Sequence, residues 1–96
     1  EFRRVLFRSG NLYLGARIEK RTLIITVKDD GVGIDPQTLR ELEEALENGT
    51  NAGGHIGIIN THSRIRLQYG KQYGIRIESR EGDGTTVIIS VPVEEK

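Results

Sequence analysis

The chain has 96 residues, in which 14 lysines and arginines balance 14 aspartates and glutamates, and it has no cysteine. This length predicts one small domain with a modest core, and the balanced charge gives no indication of a nucleic-acid partner. The composition excludes disulfides, thiolate zinc sites and a cysteine nucleophile, and no apolar run approaches the ~20 residues that a membrane-spanning helix needs.

Residues 1–10, EFRRVLFRSG, differ in character from the rest of the chain. They are rich in arginine and show no clear hydrophobic period. An amphipathic helix is one interpretation, but we expect a non-native or disordered segment that lies outside the fold. The folded domain is then predicted to span residues 11–96.

Two strands are predicted next. Residues 11–18 place Leu12, Leu14, Ala16 and Ile18 at period two, which indicates a half-buried strand. After a charged turn, residues 22–28, TLIITVK, are β-branched and mostly apolar, which is typical of a strand in mid-sheet. The two strands form a hairpin.

Two helices follow. The first begins at Asp35-Pro36, an aspartate N-cap before proline at the first helical position, and ends at Asn48-Gly49. The second runs from about residue 57 to 69 and ends at Gly70. Each helix is predicted to bury one face, formed by Leu39, Leu42, Ala45 and Leu46 in the first and by Ile58, His62, Ile65 and Tyr69 in the second. Arg64 and Arg66 lie off the second face, in solvent.

Residues 73–80 alternate again, residues 81–84 form a turn, and residues 85–93 form the last strand. The order β, β, α, α, β, β predicts a two-layer α/β sandwich with a mostly antiparallel sheet and helices on one face. Because there is no βαβ repeat, the glycine motifs are not of the dinucleotide-binding Rossmann type.

The segment VKDDGVGIDP, residues 27–36, is the first candidate for chemistry. At the end of a strand, Asp29 is placed to accept a hydrogen bond from an exocyclic amine such as that of adenine. Gly31 and Gly33 would let the backbone approach a flat ring. The alternative is that Asp30-Gly31 forms only a turn and that Asp29 is solvated.

The second candidate is the glycine loop before the second helix. Gly53, Gly54 and Gly57 precede a helix N-terminus, whose free N–H groups bind anions such as phosphate, although a flexible loop explains them equally well. His55 either contacts a phosphate or is exposed, and His62 is predicted to be a core histidine. The spacing of these residues predicts no metal cluster.

Together these segments resemble a known family. VKDDGVGIDP, then GHIGIINTHSRIRLQYG, then YGIRIESREGDGTTVIISVPV are similar to the ATP-binding domain of sensor histidine kinases, and most similar to the YesM/LytS-like branch. That domain has the Bergerat-type fold of the gyrase, heat-shock chaperone, histidine kinase and MutL (GHKL) ATPases. The resemblance covers residues 12–93.

The resemblance implies roles for individual residues. In the first glycine box Asp29 would recognise adenine, and Asp30 stands where the family usually has asparagine. In the second box, HIGIIN, Gly57 would lie at the phosphates, His55 replaces a frequent glycine, and Asn60 closes the motif. Thr85, in the last box, would lie near the adenine. Residues 36–54 would hold the mobile ATP lid.

The resemblance also implies a bacterial two-component system. The parent protein would be a transferase that moves the ATP γ-phosphoryl group to a histidine in its dimerisation and phosphoacceptor domain, and then to a response regulator. We expect ATP and Mg²⁺ as ligands, a cytoplasmic location at the end of a membrane-anchored parent, and no membrane contact by this segment. The family's asparagine helix, which helps to hold Mg²⁺, has no counterpart here, so the chain is expected to be N-terminally truncated and inactive alone.

Two alternatives stay open. A fragment without that helix would leave apolar positions such as Leu12, Leu14 and Ile24 more exposed, so the chain is alternatively a nucleotide-incompetent module that makes protein contacts. A serine kinase of the anti-sigma-factor type shares the fold. Residues 62–70, HSRIRLQYG, favour the sensor branch over it.

Overall fold

The computed structural model describes residues 2–7, 10–49 and 56–93. Its elements, in chain order, are β1 (Phe2–Phe7), β2 (Gly10–Glu19), β3 (Thr22–Asp29), α1 (Pro36–Asn48), α2 (Ile56–Tyr69), β4 (Gly74–Arg80) and β5 (Gly84–Pro92). The strands form one five-stranded sheet in the order β1-β2-β3-β5-β4, and each pairing between described strands is antiparallel. Because both helices lie on one face of this sheet, the predicted α+β sandwich is confirmed.

The strand β1 is absent from the sequence-based prediction. Phe2–Phe7 pairs with β2, with Val5 opposite Leu12, so this part of residues 1–10 joins the sheet instead of lying outside the fold. The physical reason is that the open edge of β2 offers unpaired N–H and C=O groups, which can pair with a neighbouring segment whatever its hydrophobic period. The non-native origin of residues 1–10 stays a prediction.

Local capping signals set the ends of α1, as predicted. The Asp35 carboxylate accepts a hydrogen bond from the Thr38 backbone N–H at 3.2 Å, and Pro36 occupies the first helical turn. Hydrogen bonds from Thr38 hold the pKa of Asp35 below its ordinary value. At the other end Gly49 is left-handed, and its N–H donates to the Ala45 carbonyl at 2.8 Å. Satisfied ends of this kind define where a helix starts and stops.

The core lies between the helices and strands β4 and β5. Its buried members are Leu42, Ala45, Leu46, Ile59, Ile75 and Ile77. The face predicted for α2 is partly wrong, because Ile59 is only 1% exposed whereas Tyr69 is 37% exposed. Since α2 packs against both α1 and β4, two neighbours decide which side of the helix is buried. His62, at 7% exposure, is confirmed as a core histidine.

The other half of the sheet is not covered by the described helices. Neither α1 nor α2 contacts β2 or β3, and on the helix side of β2 the side chains of Leu14 and Ile18 are 40% and 66% exposed. The expected exposure is therefore confirmed for Leu14. Leu12 and Ile24 are half-buried. Ile24 also lies on the opposite face, because it is in register with Arg17 and Ser90.

Candidate functional site

A row of three polar side chains crosses one end of the sheet. Ser79 on β4 is paired with Thr85 on β5, and Thr85 is paired with Asp29 on β3. Because side chains alternate along a strand, the row lies on the same face as the apolar row two residues further on, which includes Ile77 and Val87. The hydrophobic core therefore ends in polar groups at this end. We call Asp29, Thr85 and Ser79 the polar row.

Asp29 is held in position by two backbone donors. Its Oδ1 accepts a hydrogen bond from the Gly31 N–H at 2.9 Å and a second from the Thr85 N–H at 3.3 Å. The first bond is the local turn of the alternative interpretation, but the second comes from a strand 56 residues away. Both bonds use Oδ1, so the described hydrogen bonds leave the acceptor capacity of Oδ2 unused.

The glycine bend at residues 30–34 is fastened to the turn between β4 and β5. The Gly82 N–H donates to the Val32 carbonyl at 2.7 Å, and the Ile34 N–H donates to Ser79 Oγ at 2.8 Å. Gly33 has a φ of 78°, and a Cβ there would overlap the Arg80 carbonyl oxygen. The protein's own packing therefore requires Gly33, in addition to the ligand approach predicted from the sequence.

Gly31 protects the carboxylate from crowding. A Cβ at this position would lie 3.1 Å from Asp29 Oδ1, which is closer than side-chain atoms ordinarily approach. Asp29, Asp30, Gly31, Gly33 and Thr85, five residues predicted from the sequence, are thus brought together at one end of the sheet.

Two concavities border the sheet and are candidates for the binding site. One of about 400 Å³ is lined by Tyr13, Lys28, Asp29, Asp30 and Asp83. A larger one, of about 750 Å³, is lined mainly by side chains from the face of the sheet opposite the core. We assign the candidate site to the smaller one, because Asp29 of the polar row lines it, whereas no residue of the polar row lines the larger one. Tyr13 and Lys28, which are in register with each other, border the smaller one from the face of the sheet opposite the core.

The second glycine box lies at the start of α2. Gly57 is the second residue of the helix and is exposed, with no atom within 4 Å of the Cβ it lacks. Asn60, one turn later, is also exposed. Free N–H groups of this first turn are suited to an anion. His55, Gly53 and Gly54 lie outside the described residues, and no hydrogen bond between described residues joins Gly57 or Asn60 to the polar row.

The segment predicted to hold the ATP lid, residues 36–54, is described only in part. Residues 36–48 form α1, as predicted, and this helix buries Leu42, Ala45 and Leu46 in the core. Residues 50–54 lie outside the described residues, so the lid itself stays a prediction.

A second polar network lies beneath α2, away from the polar row. His62 Nδ1 accepts a hydrogen bond from the Ile75 N–H at 2.8 Å, and Arg66 lies 3.4 Å from His62 Nε2 and 3.3 Å from a Glu47 carboxylate oxygen. Burial lowers the pKa of His62, and the Arg66 charge lowers it further against the opposing effect of Glu47. The prediction that Arg66 is solvated is wrong, because its side chain is only 19% exposed. It joins the two helices.

No metal site emerges from the described residues. They contain no group of three histidine or acidic side chains placed to hold a metal ion. Nor is any helix within the described ranges long and apolar enough to cross a membrane.

Sequence reasoning missed Ser79 of the polar row, and it also missed Tyr13, Lys28 and Asp83, which line the smaller concavity. Ser79 lies in an alternating strand, where a serine carries no local signal. Its contacts are with Ile34, 45 residues earlier, and with Gly84 and Thr85 after the turn. The motif ESREGDGTT, residues 78–86, contains Ser79 six residues before Thr85, and that spacing across a hairpin turn was the available signal.

The fold and the site define a class of protein. A two-layer sandwich with an oriented aspartate at the end of a central strand, beside a glycine bend, is the arrangement of a nucleotide-binding ATPase domain. Residues 7–95 match the family described as "Histidine kinase-, DNA gyrase B-, and HSP90-like ATPase", and the chain belongs to that family. The predicted resemblance is therefore confirmed.

Individual relatives are sensor kinases by name. Over 77 residues the chain is 35% identical to the sensor histidine kinase YesM of Bacillus subtilis, and over another 77-residue match it is 32% identical to an uncharacterized sensor-like histidine kinase of Staphylococcus epidermidis. It is 25% identical over 76 residues to the sensor protein kinase HptS of Staphylococcus aureus. These matches cover 79–80% of this chain but only 12–15% of each relative's length.

Proposed function

We propose that this chain is the ATP-binding domain of a sensor histidine kinase. In the parent protein the γ-phosphoryl group of ATP would pass to a histidine of the dimerisation and phosphoacceptor domain, and then to a response regulator. A cytoplasmic position within a membrane-anchored parent belongs to the same proposal. The observation that supports it most directly is the Asp29 carboxylate, whose Oδ1 is held by the Gly31 and Thr85 N–H groups.

The residues of the site would divide the work between the two ends of the nucleotide. Asp29 would accept a hydrogen bond from the adenine amine, and the bend at Gly31 and Gly33 would leave room for the flat base. Gly57 and Asn60, with His55 before them, would approach the phosphates at the N-terminus of α2. Mg²⁺ would offset phosphate charge. Phosphoryl transfer depends mainly on such positioning and electrostatics.

The test is titration of Mg²⁺-ATP into the chain by calorimetry, with Asp29→Asn as the variant. The amide oxygen of asparagine can still accept the Gly31 and Thr85 N–H bonds, so the local structure is kept while an NH₂ group faces the adenine amine. Losing a hydrogen bond to a charged group costs about 1.5–3 kcal/mol, and we therefore expect the affinity to fall roughly 10- to 150-fold.

Asp30→Asn is the matched control, because it is the same substitution at the next residue. Since the family usually has asparagine there, its ATP affinity should equal or exceed that of the wild type. Circular dichroism spectra should agree among the three proteins. Equal affinity of the wild type and Asp29→Asn would rule out Asp29 as the adenine carboxylate.

The uncovered half of the sheet favours a second candidate function. Leu14 and Ile18 expose apolar surface on the helix side of β2, as expected of a module that makes protein contacts without binding nucleotide. That candidate predicts no heat with Mg²⁺-ATP and concentration-dependent light scattering that Ile18→Glu abolishes. A wild-type chain that binds ATP and stays monomeric would exclude it.

A further inference from the structure

Ser79 is the residue of the polar row that contacts both the glycine bend at residues 30–34 and the start of β5. Its Oγ lies 2.8 Å from the Ile34 nitrogen, 2.9 Å from the Gly84 carbonyl oxygen and 3.0 Å from Thr85 Oγ1. Ser79 is therefore bonded to the glycine bend and to the start of β5 at the same time. With three partners, one hydroxyl uses its full hydrogen-bonding capacity, which is one donor and two acceptor positions.

The three partners fix the direction of each hydrogen bond. A carbonyl oxygen only accepts, so the single Ser79 proton goes to Gly84. The Ile34 N–H only donates, so it takes one acceptor position of Ser79. What is left for Thr85 is the second acceptor position, and the Thr85 hydroxyl must therefore donate its proton to Ser79.

The orientation of Thr85 changes what the polar row offers to a ligand. With its proton directed at Ser79, Thr85 Oγ1 presents lone pairs, and Asp29 next to it is an acceptor as well. The nearby N–H groups of Gly31 and Thr85 are already bonded to Asp29 Oδ1. The hydroxyl hydrogens of Ser79 and Thr85 and the N–H groups of Gly31 and Thr85 are thus all bonded within the protein. The polar row therefore offers a ligand hydrogen-bond acceptors.

We propose that Ser79 is a positioning residue that holds the Thr85 proton within the polar row, and that the row beside Asp29 therefore selects a purine with an amine at position 6 over one with a carbonyl there. At position 6 of the ring, the amine of a 6-aminopurine would donate to these acceptors, whereas the oxygen of a 6-oxopurine would face their lone pairs. Rejection is strong when buried polar groups are left unpaired. This inference rests on the proposed nucleotide site and adds a source of its base selectivity.

The test compares ADP with inosine 5′-diphosphate, which carries a carbonyl at position 6 of the purine in place of the amine. The affinity ratio of the two ligands is measured by calorimetry for the wild type, Ser79→Ala and Ser79→Thr. In Ser79→Ala the Thr85 hydroxyl is free to rotate and donate to the carbonyl, so the ratio should fall by roughly tenfold. Ser79→Thr keeps a hydroxyl and should restore the ratio. A merely structural role would weaken both ligands equally and leave the ratio unchanged.

A double-mutant cycle tests whether Ser79 acts through Thr85. Thr85→Val keeps the shape of the side chain and removes the hydroxyl, so adding Ser79→Ala in that background should not change the ratio further. A further change in the double variant would overturn the proposed route. If a threonine side chain is too large for position 79, this cycle still tests the proposal without Ser79→Thr.

Amide hydrogen exchange gives a readout that needs no ligand. Exchange at Ile34 should quicken in Ser79→Ala, which removes its acceptor, and should stay slow in Thr85→Val. Unchanged exchange at Ile34 would overturn the contact on which the inference depends. A wild type that binds neither nucleotide would refute both the proposed function and the base selection. A wild type that binds ADP, with an unchanged ratio in Ser79→Ala, would refute this inference alone.

Discussion

Replacing Gly84 by alanine should be among the most damaging single methyl additions in this protein. Gly84 begins β5 with a φ of 88°, and a Cβ there would overlap the Asp29 carbonyl oxygen and lie 3.0 Å from the Asp30 Cα. The atoms it would meet belong to backbone, so a side-chain rotation cannot relieve the overlap. The strands that carry Asp29 and Thr85 would have to separate.

The magnitude has two parts. A left-handed conformation costs a residue with a Cβ about 1–2 kcal/mol, and forcing extra volume into a packed site costs about 1–3 kcal/mol. The sum, about 2–5 kcal/mol, is a large share of the roughly 5–15 kcal/mol by which domains are stable. Gly84→Ala should therefore lower the free energy of unfolding by that amount and weaken nucleotide binding at the same time.

Two other glycines allow the conformational cost and the cost of the overlap to be measured separately. Gly82 has nearly the same φ, 86°, but no atom lies within 4 Å of the position that an alanine methyl would take, so Gly82→Ala should show the conformational cost alone. Gly57 has neither positive φ nor a close neighbour, and alanine in this helix should stabilise by about 0.5–1 kcal/mol. Urea denaturation followed by circular dichroism gives all three values. If Gly84→Ala destabilised no more than Gly82→Ala, the reasoning from the overlap would be wrong.

Three further outcomes are expected. Burial lowers the pKa of His62 in the folded protein below its unfolded value of about 6.5. The stability that neutral His62 contributes is therefore complete above pH 6.5 and is lost as the pH falls below that value. His62→Asn, whose amide oxygen can accept the Ile75 N–H, should remove this part of the pH dependence in urea melts between about pH 5 and 8. Leu42→Ala should destabilise by about 2–5 kcal/mol, whereas Leu67→Ala, at a 90% exposed position, should have little effect on the same melts. Asp35→Ala should lower the thermal midpoint and Asp35→Asn should preserve it, since asparagine caps equally well; equal midpoints for both would contradict the capping role.

Features set by neighbouring residues were predictable from the sequence. Asp35 and Gly49 bound α1 as expected, because a cap forms with partners three or four residues away. The alternating strands were found for a similar reason, since one face of each meets the core. Asp29 and Thr85 were assigned to one site only through the family resemblance, and the strand register then brought them together.

Features set by remote partners were not predictable. Ile59 rather than Ile58 is the most buried residue of α2, because the position of β4 and α1 decides which side of the helix faces inward. Arg66 has the pattern of a surface residue until α1 places Glu47 beside it. Ser79 depends on Ile34, 45 residues earlier, and no local pattern encodes that contact.

The pairing of β3 with β5 also has a consequence for biosynthesis. Asp29 and Thr85 are 56 residues apart, and a ribosome adding about 5–20 residues per second needs roughly 3–11 s to make that stretch. During this interval β3 can pair with β2 but not yet with β5, so one of its edges carries unpaired N–H and C=O groups. Such an edge can pair with a strand of another polypeptide. The polar row is therefore completed late in translation, and a chaperone acting on the nascent protein would have its greatest effect before β5 emerges.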